Sequence, residues 1–184
     1  MMEPNDILLK YYSSTSRAYQ ILVEHSQAVA EFAVEIAQNS GLVNLDTQFI
    51  WEAAMLHDIG VFKCDAPSIG CYGTENYMRH GVIGREILEA EGLPKHALIC
   101  ERHVGVGLTR EDIIEQKLPI PERDMMPVTD EETIIAFADL FFSKTKARHV
   151  RTAKEVEEKI SRYGEDKVQI FLEWKERYRF KEQE

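Results

Sequence analysis

The chain has 184 residues, 44% apolar and 29% charged, with a formal charge of -10. That length predicts one domain with a sizeable core, and the acidic balance argues against a broad nucleic-acid surface, which would be net basic. No stretch approaches the ~20 apolar residues of a membrane span, the first ten residues lack the apolar run of a secretory signal, and the cysteines number an odd three; the resulting expectation is a cytoplasmic protein with reduced thiols.

Read in chain order, the elements are almost all helical. Tyr19, Leu22, Val23, Ser26, Val29, Ala30, Ala33, Ile36 and Ala37 recur with helical period, and Gly41 offers a C-terminal cap. A second helix follows Asp46 and runs through Phe49, Ile50, Ala53 and Ala54 into His57-Asp58-Ile59-Gly60. Residues 61–75 hold a proline and two cysteines among glycines and read as a loop. A third helix is expected from near Glu75 to Gly92. A fourth starts at Pro94, whose missing N–H suits the first helical turn, and it ends at His103 before Gly105 and Gly107. Thr109-Arg110-Glu111-Asp112 predicts another short helix, and Pro119, Pro121 and Pro127 an irregular loop. Thr129–Glu132 and Thr152–Glu155 each read as a capping box. The first precedes a helix with Ile135, Ala136, Asp139 and Phe142. The second opens a long last helix with Val156, Ile160, Ile170, Phe171, Trp174 and Tyr178, in which Gly164 is the weak point. No alternating strand pattern competes, so the fold class expected is all-α, an irregular helical bundle.

The chemistry-bearing residues fall on separate predicted helices. His25 sits inside the first, His57 and Asp58 close the second, His80 opens the third, His103 closes the fourth, and Asp139 follows the first capping box. Helical bundles build metal sites from inward side chains on facing helices. Imidazole nitrogen with carboxylate oxygen suits divalent ions such as Fe, Mn, Zn, Ni, Co or Mg. Four His and two Asp exceed what one catalytic ion with open positions needs, and they fit two ions sharing a carboxylate.

The order H…HD…H…H…D, with the doublet inside Leu56-His57-Asp58-Ile59-Gly60, resembles the HD-domain superfamily over roughly Glu24 to Thr145. The resemblance implies an irregular helical bundle of the HD-domain type: a single domain over 1–184, with a metal-binding core of about 17–146 and a C-terminal helix of about 152–178. It also implies a phosphohydrolase that cleaves a phosphoester or phosphoanhydride of a nucleotide or related small molecule by metal-activated water. The extra His80 and His103 look like the binuclear branch. Carried onto this chain, His25, His57, Asp58 and Asp139 would hold one ion, Asp58 would bridge, and His80 with His103 would hold the second. A reading with one ion, and His80 and His103 binding phosphate as cations, stays open. Two other functions also stay open: a mixed-valence di-iron oxygenase on the same ligands, and a nucleotide-binding regulatory module. The chain lacks the GYP signature of the cyclic-dinucleotide branch and the closely following lysine of the diadenosine-tetraphosphate hydrolases.

Basic groups to hold phosphate are sought near the ligands: Lys63, Arg79, Arg85, Arg102 and Lys144. Lys63 and Arg85 are preferred, since neighbours of a ligand in sequence point elsewhere on a helix. The expected partner is a small phosphorylated molecule, with no membrane. His96, in the first turn after Pro94, reads as a surface residue. His149 lies in Lys144–Arg151, read as a solvated linker. Cys64 and Cys71 read as ordinary loop thiols, because their spacing matches no zinc motif. The stripe of Phe171, Trp174 and Tyr178 reads as core, with a homodimer contact as the alternative.

Overall fold

A computed structural model describes residues 3–145 and 149–181. Nine α-helices carry the described fold. They are α1 (Pro4–Tyr11), α2 (Arg17–Asn39), α3 (Thr47–Leu56), α4 (His80–Ala90), α5 (Pro94–Arg102), α6 (Arg110–Glu115), α7 (Asp130–Asp139), α8 (Ala153–Ile160) and α9 (Glu165–Arg177). The expected all-α bundle is what forms. The segment read as a plain loop is more ordered than that. Ile59–Lys63 is a 3-10 turn, and β1 (Asp65–Ala66) pairs antiparallel with β2 (Cys71–Tyr72), Asp65 opposite Tyr72. A short hairpin lets a proline- and glycine-containing stretch satisfy its backbone groups while staying compact.

α2 is the longest element, at 23 residues, and Ser16 caps it by accepting from the Tyr19 N–H. Its buried stripe of Leu22, His25, Val29, Ala30, Ala33 and Ile36 packs against α3 and α7. One apolar cluster joins α2, α3 and α7 to Val156, Ile160, Phe171 and Tyr178 of the C-terminal segment. A second joins α1 and the start of α2 to Leu56, Ile59, Leu88 and Cys100. Each fully buried Leu or Ile contributes about 1.5–3 kcal/mol, so both clusters hold the helices whose ends meet at the site.

Close approach places α4 against the 3-10 turn. A Cβ at Gly60 would lie 2.2 Å from the His80 carbonyl oxygen and 2.6 Å from the Gly84 nitrogen. Tyr12 pins the same turn: its hydroxyl donates to the Ile59 carbonyl at 2.8 Å and accepts from the Phe62 N–H at 3.2 Å.

Several expectations need correction. The long last helix is broken: α8 ends in a 3-10 turn at Ser161–Tyr163, and Gly164 at φ +132° lets the chain restart as α9. The third helix begins later than Glu75, because Tyr77–Arg79 is 3-10 and regular α geometry starts at His80. The Thr152 capping box forms in full. At Thr129 only half forms, since Glu132 turns away to the Val128 N–H and to Arg102. His96 is buried rather than on the surface, its ring 4.9 Å from that of Phe49 and its Nε2 3.4 Å from Glu52. Burial holds His96 below the ordinary histidine range, against the pull of Glu52. Of the expected solvated segment Lys144–Arg151, residues 146–148 lie outside the described residues. His149 and Val150 are exposed, whereas Lys144 and Arg151 are partly buried. Phe171 and Tyr178 are core, as the stripe predicts. No helix among the described residues is long and apolar enough to cross a membrane.

Candidate metal centre

Five segments deliver six side chains to one point. His25 comes from the middle of α2, His57 and Asp58 from the end of α3, and His80 from the first residue of α4. His103 caps α5, and Asp139 is the last residue of α7. His25, His57, Asp58, His80 and His103 are nearly inaccessible to solvent, and Asp139, at 19% side-chain exposure, faces the opening.

The two oxygens of Asp58 divide the cluster. Oδ2 lies 2.9 Å from His57 Nε2 and 3.3 Å from His25 Nε2. Oδ1 lies 3.4 Å from His80 Nε2 and 3.6 Å from His103 Nε2. Asp139 Oδ1 is 3.0 Å from His25 and 3.6 Å from His57. Three overlapping groups have ligand atoms within 4.8 Å of one another: His25 with His57 and Asp58, His57 with His103 and Asp139, and Asp58 with His80 and His103.

Backbone carbonyls fix the histidine tautomers. A carbonyl only accepts, so Nδ1 must carry the proton where His57 meets Ala54 O at 2.6 Å, His80 meets Tyr77 O at 2.6 Å and His103 meets Cys100 O at 2.8 Å. Whenever it is neutral, each ring then presents an Nε2 lone pair to the cluster. The Nε2 atoms of His80 and His103 stand 3.2 Å apart as two acceptors, which cannot hydrogen-bond to each other. Asp58 Oδ1, Nε2 of His57 and both ring nitrogens of His25 are buried without a hydrogen-bond partner. Buried acceptors left in this state are costly, and converging lone pairs held by backbone carbonyls match the outer-shell pattern of metal-ligating histidines. The donor set therefore fits divalent metal.

The charges follow the same geometry. Burial pushes the Asp58 carboxyl up, but the His57 and Lys144 charges outweigh it and hold it well below the usual range. Asp139 behaves alike, with the adjacent His25 and His57 rings and the Lys144 charge overcoming burial. For His57, burial works against the charge and Asp58 works for it, and the balance raises its pKa to about 10. His103 is pushed down to about 3 by burial and then by the His57 charge, and burial also lowers His80.

A cavity of about 570 Å³ opens onto the cluster, within the span usual for small-ligand sites. Its wall includes His25, His80, His103 and Asp139, the hairpin segment from Asp65 to Ile69, Tyr77, and the three cations Lys144, Arg151 and Lys159. Lys144 Nζ lies 2.5 Å from Asp58 Oδ2. Burial disfavours its charge, yet Asp58, with Tyr77 and Asp139, holds its pKa above the ordinary lysine range.

The structure brings together all six ligand candidates and one of the five cations sought from the sequence, Lys144. The two preferred cations are elsewhere. Lys63 is exposed, its ammonium 5.9 Å over the ring of Phe62, and it is absent from the cavity wall. Arg85 is held by Glu89 at 2.8 Å and Glu101 at 2.5 Å, outside the cavity. Arg79 and Arg102 are likewise committed, to Glu75 and Glu132. Arg151 and Lys159 carry no local sequence signal. They reach the cavity because the chain beyond α7 folds back over it.

A family model for the HD domain matches residues 22–144. An uncharacterised protein of Methanocaldococcus jannaschii is 41% identical over 129 residues, 68% of either chain. A tRNA (cytidine(56)-2'-O)-methyltransferase of Thermoplasma volcanium is 33% identical over 142 residues, 77% of this chain and 36% of that one. The corresponding Picrophilus torridus enzyme is 32% identical over 126 residues. The chain spans only about a third of the length of these two methyltransferases. Among solved structures, the HD domain of the L. monocytogenes phosphodiesterase PgpH is similar at a TM-score of 0.55 and 18% identity, covering 91% of this chain and 94% of that one. The same domain in complex with cyclic-di-AMP gives 0.52, covering 96% and 99%. The six-residue His/Asp cluster thus sits on a fold of that kind, and the chain belongs to the HD-domain family.

Proposed function

We propose that the protein is a metal-dependent phosphohydrolase acting on a nucleotide or related small phosphorylated molecule. The observation that carries this is the convergence of fixed imidazole lone pairs and both Asp58 oxygens at the floor of a cation-walled cavity. His25, His57, Asp58 and Asp139 would hold one ion, and Asp58, His80 and His103 a second. Bound there, divalent ions supply Lewis acidity and an activated water at neutral pH. The lowered pKa values of His80 and His103 keep both rings neutral, which supports their acting as ligands rather than as cations for phosphate.

The chain's own residues do the rest. Asp58 stays ionised at any pH of interest, so both its oxygens remain available. Lys144, at 2.5 Å from Asp58, holds a permanent positive charge at the floor of the cavity, where a phosphoryl oxygen would gain a charge-assisted hydrogen bond. Tyr77 and the hairpin narrow the approach, which orients the substrate and limits water. The cations on the wall favour phosphate chemistry over oxygen chemistry on the same ligands. The nucleotide reading draws on the cyclic-di-AMP complex of PgpH and on the nucleic-acid substrate named for the methyltransferases, while the charge of -10 favours small ligands over polynucleotides.

Elemental analysis and a phosphate-release panel test this together. The expected result is two ions per chain, falling to one in the double variant His80→Ala with His103→Ala. Wild type should release phosphate or nucleotide from at least one phosphate ester, and the variant should lose that activity. A metal-loaded wild type that releases nothing across mononucleotides, phosphoanhydrides and phosphodiesters would remove the hydrolase reading.

A further inference from the structure

Three cations share the cavity wall, and they differ in how far each is already engaged. Lys144 is paired with Asp58 beside the metal cluster. Arg151 is anchored: its Nη1 donates to the Leu140 carbonyl at 2.9 Å and to that of Phe142, and its backbone N–H donates to Phe141 O at 2.8 Å. Those bonds use one guanidinium nitrogen and fix the group in place, which leaves the rest of the fork for a ligand. Lys159, on α8, is exposed, and among the described residues no carboxylate forms an ion pair with it.

Like charges gathered on one wall repel, and an arrangement of this kind is stabilised when an anion enters. Lys159 registers the cost. Its ammonium is held below the ordinary lysine range, first by partial desolvation and then by the charges of Arg151 and Lys144, against the pull of Asp139. The six-ligand cluster and Lys144 are sufficient to receive the phosphate that is attacked. Arg151 and Lys159 come from chain beyond α7 and belong to no ligand group, so they have no role in that task. They still line the same cavity, which is larger than one phosphate group needs.

We infer that Arg151 and Lys159 form a clamp for a second phosphate, so that the substrate class is a small nucleotide-like molecule bearing two phosphate groups, one at the metal cluster and one at this clamp. The inference rests on the phosphohydrolase reading for the first phosphate only. A carboxylate also lies on the wall at Asp65, on the hairpin rather than on the basic segment, so the charge of the cavity is uneven. The phosphate-rich end of a ligand is drawn toward α8.

Ligands that share one base and differ only in phosphates give the test. Affinities of adenosine 5'-monophosphate, adenosine 5'-diphosphate and adenosine 3',5'-bisphosphate are measured by equilibrium dialysis on the metal-loaded full chain, for wild type, Lys159→Gln and Lys159→Arg, with phosphate release followed in parallel. At least one two-phosphate ligand should bind about tenfold more tightly than the monophosphate, the worth of one charge-assisted hydrogen bond. That advantage should fall toward unity in Lys159→Gln and persist in Lys159→Arg. A general loss of fold would weaken all three ligands together and leave the ratio unchanged. An advantage that survives Lys159→Gln while the monophosphate affinity is that of wild type, or a monophosphate that binds wild type as tightly as both others, overturns the clamp. Absence of phosphate release from all three removes the hydrolase reading for these ligands, and the binding ratio still decides the clamp.

Discussion

His57 donates from Nδ1 to the Ala54 carbonyl, so a second proton on its ring must sit on Nε2, facing Asp58. With its pKa raised to about 10 by Asp58 against burial, that proton is present at pH 8 in the metal-free protein. A metal ligand must present a lone pair, so metal uptake has to expel it. Calorimetric titration of metal into the chelated protein at pH 8, in buffers of different ionisation enthalpy, should show at least one proton released per chain; a heat independent of buffer would place a neutral His57 in the metal-free state. The sign for stability follows. A folded-state pKa above the unfolded value of 6.5 gives the metal-free protein a contribution that is complete below about pH 6.5 and is lost as pH rises through about 10. The ligand residues were legible in the sequence because imidazole and carboxylate declare their chemistry and the HD doublet fixes their order. The phosphate-binding cations were not legible. A lysine or arginine is common on any surface, and Lys144 lies past the end of α7, where helical periodicity no longer says which way a side chain points. Spacing from the ligands favours Lys63 and Arg85, but Lys63 lies on the exposed side of the 3-10 turn and Arg85 is held by Glu89 and Glu101.

Apart from His25, which lies on a face of α2, helix ends build this site. His57, His103 and Asp139 stand within a residue of a C-terminus, and His80 begins α4, so the positions where helices stop must be held as firmly as their cores. Gly60 does this for the pair of α4 and the doublet. With a Cβ it would meet the His80 carbonyl at 2.2 Å, a backbone atom that cannot step aside. Gly60→Ala should destabilise the protein by about 1–3 kcal/mol, as overpacking does. It should also push His80 away from Asp58, so that metal content drops toward that of the variant lacking His80 and His103. Urea denaturation with elemental analysis reads both, and a variant with unchanged midpoint and full metal content would show that the turn adapts. Gly60 itself is visible in the sequence as the glycine closing His57-Asp58-Ile59-Gly60, but nothing there announces its close approach to α4. The sequence signals for the elements were strong where period and caps agreed, as in α2 and at Thr152. They failed where tertiary demand overrode them. Glu132 abandons its capping box because Arg102 and the Val128 N–H offer it better partners, and α8 and α9 separate because Gly164 is free to adopt a conformation other residues avoid.

At the scale of the whole molecule the cluster joins α2, the end of α3, α4, the end of α5 and α7, drawing on both large apolar cores. A metal bound there adds its binding free energy to folding, because the unfolded chain has no assembled site. At a free metal concentration 100 times Kd, one ion contributes about 2.7 kcal/mol, which for a chain of this size corresponds to a rise in Tm of about 5–11 °C. Chelation should therefore lower Tm by about that amount for each ion held, and Asp139→Asn should lower the metal-loaded Tm and remove one ion's share of the response to chelator. The chelated protein should nonetheless remain folded, unlike small domains that a metal alone holds together. Its apolar clusters are continuous without the ion. Within the empty cluster, the Lys144 ammonium beside Asp58 and the proton on His57 offset the carboxylate charges that would otherwise repel. Far-UV circular dichroism beside the melting curve separates the cases. An unchanged helical spectrum with a lower midpoint is the expected result, whereas a loss of helix on chelation at 25 °C would mean that the metal is a condition of folding and that the cores are insufficient without it.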